Sequence, residues 1–210
     1  MYRNYKRYLI AEMIFLFLVI PLSFLFYYPT TIKVILTLAS FIYVVALIFR
    51  NRTRIRETKK TINWRRFWLN TGLKFFGLAI LTIMGVYYYN SELLFKIVRE
   101  RPVIWLKIFF IYSLLSVYPQ EVIYRVFFFS RYERLFRDKR LLIFVNGIFF
   151  AAAHVFFRNE FVLLLTFFGG MFFAYTYHKT RSTSMIFIEH TIYGYWIFTV
   201  GLGGLLGFPN

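Results

Sequence analysis

The stretch Pro119-Gln120-Glu121-Val122-Ile123-Tyr124-Arg125 sets a carboxylate and a guanidinium inside a long apolar run. Two later apolar runs each carry one histidine, His154 and His190. Groups of these types move protons and hold developing charge. At bilayer depth an uncompensated charge costs about 3 kcal/mol on insertion scales, so ionisable residues there mark a functional site by default. Glu121 and Arg125 stand four residues apart, share one helix face and can pair; Gln120 lies beside them. A purely structural ion pair would account for these two and leave both histidines without a purpose.

The rest of the chain must hold those groups in lipid. Of 210 residues, 60% are hydrophobic and 24% aromatic, and the formal charge is +17. A soluble domain of this size could not hide so much apolar surface. Several runs approach or exceed the roughly 20 residues that span a bilayer as helix. The expected fold class is therefore all-α: a polytopic helical membrane protein, with a single transmembrane domain over residues 1–210. The basic excess clusters between apolar runs, where it acts as a topology signal, and no nucleic-acid partner is expected. The chain has no cysteine, which excludes disulfides, thiolate metal sites and a cysteine nucleophile.

About seven transmembrane helices are expected, near 8–28, 32–49, 67–89, 103–130, 141–157, 161–178 and 182–206. The first is long and lacks a small-residue cleavage site before Pro29, so it reads as a retained span. Segment 50–66 holds eight basic residues against one acid, Glu57, and reads as a solvated loop or a short helix on anionic headgroups. The fourth run, 102–136, would be roughly 52 Å long as one helix, against a hydrocarbon core of about 30 Å. Pro119 is expected to kink it just before the charged pair, freeing carbonyls near Leu115 and Ser116 beside a small hydrated cavity. With the N-terminus inside, the inner segments 1–7, 50–66, 131–140 and 178–183 carry 18 of the 26 Lys and Arg, which favours an N-in, C-out topology.

Helical rise puts Glu121 roughly 15 Å, His190 roughly 13 Å and His154 roughly 20 Å from the inner interface. Spans four, five and seven can thus converge on one pocket. Ser113, Ser116, Gln120, Glu121 and Arg125 form one polar stripe. Asn146, Phe150 and His154 recur every fourth residue. His190, Gly194 and Gly201 line one side of the last span, where small residues allow close packing. Asn146 reads as an interhelical hydrogen bond, and His178, beside Lys179 and Arg181, as an interfacial residue. Glu189, about 100° around the helix from His190, reads as structural. The zinc-protease HExxH, phosphate-loop and dinucleotide fingerprints do not occur.

In chain order, Glu121-x-x-x-Arg125, Phe150-Ala-Ala-Ala-His154 and the late His190 resemble the three motifs of the CPBP family. These are the intramembrane CAAX-prenyl endopeptidases and bacteriocin-processing proteases, also described as abortive-infection proteins. The family motifs are Glu-Glu-x-x-x-Arg, Phe-x-x-x-His and His-x-x-x-Asn or a small variant, each on its own membrane helix. The resemblance covers about 103–203, and helices of 103–204 would form the motif-bearing core. Residues 1–102 share only their membrane-spanning character. Gln120 stands where the family has its first Glu, usually the water-activating base. Gly194 stands where an Asn helps to hold the oxyanion. A glutamine amide cannot act as a base, so either Glu121 takes that role or the chain is a non-catalytic relative.

The resemblance implies an intramembrane endopeptidase that hydrolyses a peptide bond of a membrane-associated protein or peptide. Glu121 and His154 would activate one water, His190 and the Gln120 amide would donate to the oxyanion, and Arg125 would hold Glu121. Glu121, His154 and His190 are also a zinc-type donor set. The family is described both as metal-dependent and as glutamate-type, so a divalent metal such as zinc stays open. The rival class is a catalytically inactive relative, an immunity factor or scaffold that uses the polar core for packing. A transporter is disfavoured by the lack of internal repeats. The expected partners are the lipid bilayer and the protein or peptide substrate; the oligomeric state leaves no mark on the sequence. The expected location is a bacterial cytoplasmic membrane, as an integral multi-pass protein.

Overall fold

The computed structural model describes residues 2–50 and 63–208. Most of the basic segment expected as a loop or surface helix, residues 51–62, lies outside the described residues. Every regular element among the described residues is helical, the solution by which an apolar chain satisfies its backbone within each segment. Helix α1 runs Tyr2–Ile14 and continues through a π-helical stretch, Phe15–Val19, to a last turn, Ile20–Ser23. There follow α2 (Thr30–Arg50), α3 (Trp64–Asn90), α4 (Pro102–Leu135), α5 (Lys139–Ala152), α6 (Glu160–Thr180) and α7 (Thr183–Val200). Polar side chains cap the starts of three of them. Asn63 accepts from Arg66 N–H at 2.9 Å, Asp138 from Arg140 N–H at 2.8 Å and Ser182 from Met185 N–H at 3.4 Å. Pro102 opens α4, at a position where its missing N–H costs nothing.

Among the described residues, five helices are long and apolar enough to cross a membrane: Thr30–Arg50, Trp64–Leu93, Pro102–Leu135, Lys139–Phe157 and Glu160–Thr180. The other two of the seven expected spans are helical but fall outside that measure. Helix α1 carries Lys6, Arg7 and Glu12, and α7 has 18 residues with Glu189 and His190 near its middle. Ile42 on α2 and Leu73, Leu81 and Met84 on α3 are each more than 60% exposed. That is costly in water and costless against lipid tails.

Helix α4 is not divided at Pro119. Its backbone widens into π-helical stretches, Tyr112–Val117 and Val122–Phe127, on either side of an ordinary turn, Tyr118–Glu121. The N–H of Tyr118 donates to Ser113 O, five residues back. A wider turn gives the proline ring room that the α-helical spacing would deny it. Wide turns thus flank the position expected to kink.

The chain divides into two compact units, Met1–Thr58 with Val122–His178, and Lys59–Glu121 with Lys179–Asn210. In the first, Phe17 is buried among the rings of Tyr124, Phe127, Phe128, Tyr132 and Phe149, at centroid distances of 5.2 to 6.4 Å. Near it the buried Glu12 carboxylate accepts from Arg131 Nε, from Arg131 Nη2 at 2.6 Å, from Tyr132 Oη at 2.6 Å and from Tyr43 Oη at 3.1 Å. Helices α5 and α6 meet through glycine. A Cβ at Gly170 would lie 2.9 Å from Phe150 Cβ and 3.1 Å from Gly147 Cα.

In the second unit α3 and α7 are joined by the Lys74–Glu189 ion pair. Tyr193 Oη reaches both Glu189 Oε1 and Thr71 O at 3.0 Å, and Trp196 Nε1 donates to Thr82 Oγ1 at 2.9 Å. The first half of α4 is tied to α7 by Trp105 Nε1 donating to Thr199 Oγ1 at 3.0 Å and Tyr195 Oη donating to Trp105 O at 2.9 Å. Beyond α7 the backbone turns at Gly201 with φ +105°, and a Cβ there would lie 2.1 Å from Leu93 O, so only glycine fits.

Candidate active site

Glu121 closes the short ordinary turn of α4, and His190 sits at mid-length in α7. The second unit brings them together: His190 Nδ1 lies 2.6 Å from Glu121 Oε1, with the carboxylate wholly buried and the imidazole nearly so. At this separation the ring and the carboxylate are joined by a hydrogen bond. It leaves Nε2 of His190 as the nitrogen directed away from the carboxylate. Gln120 belongs to the same unit, and its Nε2 donates to Ser116 Oγ at 2.8 Å.

The same unit holds a neighbour that the sequence did not single out. The ring of Tyr112 stands edge-on to His190, with centroids 6.2 Å apart and planes at 81°. A Cβ built on Gly194, one turn after His190, would lie 1.8 Å from Tyr112 Oη. The phenol fills the volume that a side chain at 194 would need. A glycine on a buried helix face beside a polar pair is the signal that could have found it, because such a gap must be filled from another helix.

Arg125 and His154 belong to the first unit, where both pack on Phe150. The Arg125 guanidinium stands over the Phe150 ring at 4.5 Å and the Phe173 ring at 5.4 Å, and its Nη2 donates to Gly170 O at 3.1 Å. Gly170 O is accessible to it at a point where two helices pack through glycine. The His154 ring lies 4.8 Å from Phe150, and its Nδ1 is 2.7 Å from Phe150 O. A carbonyl oxygen can only accept, so Nδ1 carries the proton and the lone pair of the neutral ring sits on Nε2. His154 lies beyond the end of α5 at Ala152, and its side chain takes a carbonyl left over at the helix end. Asn146 Nδ2 donates to Tyr124 O at 2.8 Å, a tie between helices.

The matching of family models gives one result. Residues 102–196 match the model described as type II CAAX prenyl endopeptidase Rce1-like. Residues 102–196 are an Rce1-like domain. Its span is nearly the segment over which the three motifs lie, and it contains Gln120, Glu121, Arg125, His154 and His190. The match covers less than half of the 210 residues, and the matched family is one of CAAX-type intramembrane proteases, which implies a protein or peptide substrate. No curated protein and no solved structure matches the chain.

Of the zinc-type donor set, Glu121 and His190 share the second unit, and His154 belongs to the first. Among the described residues, no group of three or more His, Cys, Asp or Glu side chains is arranged to hold a metal ion. Glu121 and His190 bond directly to each other, whereas two ligands of one zinc stand farther apart around it. Within the second unit, Glu121 and His190 alone do not make a metal site.

Proposed function

We propose that this chain is an intramembrane endopeptidase whose water is activated by a buried carboxylate–imidazole pair. The single observation that carries this reading is the 2.6 Å contact between Glu121 and His190, buried within helices that belong to a protease-family domain. Water attacks the carbonyl carbon of a peptide bond, and its proton passes to the Glu121–His190 pair. The carbonyl π pair moves onto oxygen to give a tetrahedral oxyanion. Collapse of that intermediate breaks the C–N bond, and the pair returns the proton to the leaving amine. Gln120, a hydrogen-bonding amide and no base, helps to orient the reacting groups.

The roles of His154 and Arg125 rest on their motifs. The motifs assign His154 a share in activating the water and Arg125 a supporting role. The substrate is a membrane-associated protein or peptide. The chain acts as one membrane domain with seven spans, N-terminus in and C-terminus out, in a bacterial cytoplasmic membrane. The basic inner segments support that orientation.

The test is Glu121→Gln in the native membrane. The substitution keeps the size of the side chain and removes the base, so a membrane precursor should accumulate uncut, as it does in a deletion strain, while the protein stays inserted at its usual level. Gln120 in place of the family's first Glu favours one other reading, that of a non-catalytic relative. On that reading the deletion and Glu121→Gln strains show no precursor in common, and His154→Ala lowers stability alone.

A further inference from the structure

The geometry points to Tyr112 as the hydrogen-bond donor that holds the oxyanion, in the volume left open by Gly194. The inference rests on the endopeptidase reading of Glu121 and His190, and it gives that site a group not yet assigned a role.

Three observations carry it. The first is placement. Tyr112 Oη lies where a side chain at 194 would begin, 1.8 Å from that Cβ, one helical turn from His190 and with its ring edge-on to the imidazole. The second is capacity. The ring is only 9% exposed, yet Tyr112 Oη takes part in no hydrogen bond among the described residues. Its O–H can therefore donate to a substrate carbonyl. The other donors nearby are engaged: His190 Nδ1 with Glu121, and Gln120 Nε2 with Ser116.

The third is the backbone. Tyr112 and Glu121 are nine residues apart, which in a regular α-helix sets them about 180° apart, on opposite faces. Yet both reach His190. The π-helical stretch Tyr112–Val117 lies between them. Such a stretch accommodates about one extra residue and so turns back the helical phase by about 100°. The remaining offset, about 80°, puts both side chains on one side of α4. The wide turn thus aims the phenol at the reacting pair.

In the reaction the Tyr112 O–H donates to the carbonyl oxygen as the π pair moves onto it, and keeps its proton throughout. When the C–N bond breaks, the pair returns to the carbonyl and the hydrogen bond weakens. Gly194 is then required by the phenol.

The experiment uses the full chain reconstituted in vesicles, with the membrane precursor that accumulates under Glu121→Gln as substrate. Tyr112→Phe should lower kcat by about 100- to 1000-fold, the loss expected for one oxyanion donor, with KM within about twofold and Tm unmoved. Cleavage by Tyr112→Phe at the wild-type rate, where Glu121→Gln cleaves nothing, would overturn the role of Tyr112 and leave the endopeptidase standing. Failure of the wild-type protein to cleave any precursor would overturn both. Should Tyr112→Phe fold poorly, Tyr112→Ala with Gly194→Asn decides: it returns an amide donor to the same volume. Recovery of at least about tenfold over Tyr112→Ala alone supports the assignment, and no recovery overturns it.

Discussion

Replacing Lys74 with methionine keeps most of the side chain's length and removes its charge. Lys74 Nζ pairs with Glu189 Oε1, and the carboxylate has no exposed surface while the lysine side chain is 21% exposed. Removing one member of a buried pair costs about 3–5 kcal/mol, because the remaining charge stays buried without compensation. Tyr193 Oη lies 3.0 Å from the same carboxylate oxygen and still donates, which places the cost at the lower end, about 3 kcal/mol. In a chain of this length each kcal/mol moves Tm by about 2–4 °C, so a fall of about 6–12 °C is expected. Tryptophan fluorescence during thermal unfolding in detergent micelles reads it, since Trp196 on α7 bonds to Thr82 on α3 and so joins the same two helices. Glu189→Leu alone should cost less, because the partly exposed lysine can swing its charge toward water. Lys74→Met with Glu189→Leu should return to within about 1 kcal/mol of wild type. A Tm for Lys74→Met within about 2 °C of wild type, or a double variant less stable than the single one, would refute the compensated-pair argument.

Gly201→Ala should cost about 2–4 kcal/mol, from a left-handed backbone together with overlap on Leu93 O. Gly207→Ala, with φ +73° but open space around it, should cost only about 1 kcal/mol; equal losses in thermal unfolding would remove the steric part. Gln120→Ala should slow cleavage by less than about tenfold, and complete loss would make its amide indispensable. Dialysis against a chelator should leave cleavage within about twofold, because Glu121 and His190 bond to each other. A loss restored by zinc would show that a third ligand joins them.

Much of the architecture is legible because lipid leaves few choices. Long apolar runs become helices, and the structure adds the caps Asn63, Asp138 and Ser182 at three of their starts. Glu121 and His190 stand out because ionisable groups are scarce in such runs. What escaped the sequence did so for physical reasons. Phase counting at 100° per residue sends Tyr112 to the face opposite Glu121, and only the π-helical turn, which no residue type announces, brings it back. Lys74 sits near the inner end of its span and reads as a snorkelling charge; its bond to Glu189 joins positions 115 residues apart. Gly194 reads as a missing asparagine until Tyr112 is seen in its place. His154 has the right spacing for a regular helical face, yet it lies beyond the end of α5, where its ring takes Phe150 O.

The cluster around Glu12 bears on any attempt to shorten the protein. Helix α1 precedes the matched domain, yet its carboxylate receives Arg131, Tyr132 and Tyr43 together. A protein trimmed to residues 102–196 would keep the arginine and lose its counter-ion, stranding a guanidinium against hydrocarbon. The leading helix thus supplies a counter-ion to the helices that follow, and adding it back as a separate peptide should restore what its removal takes away.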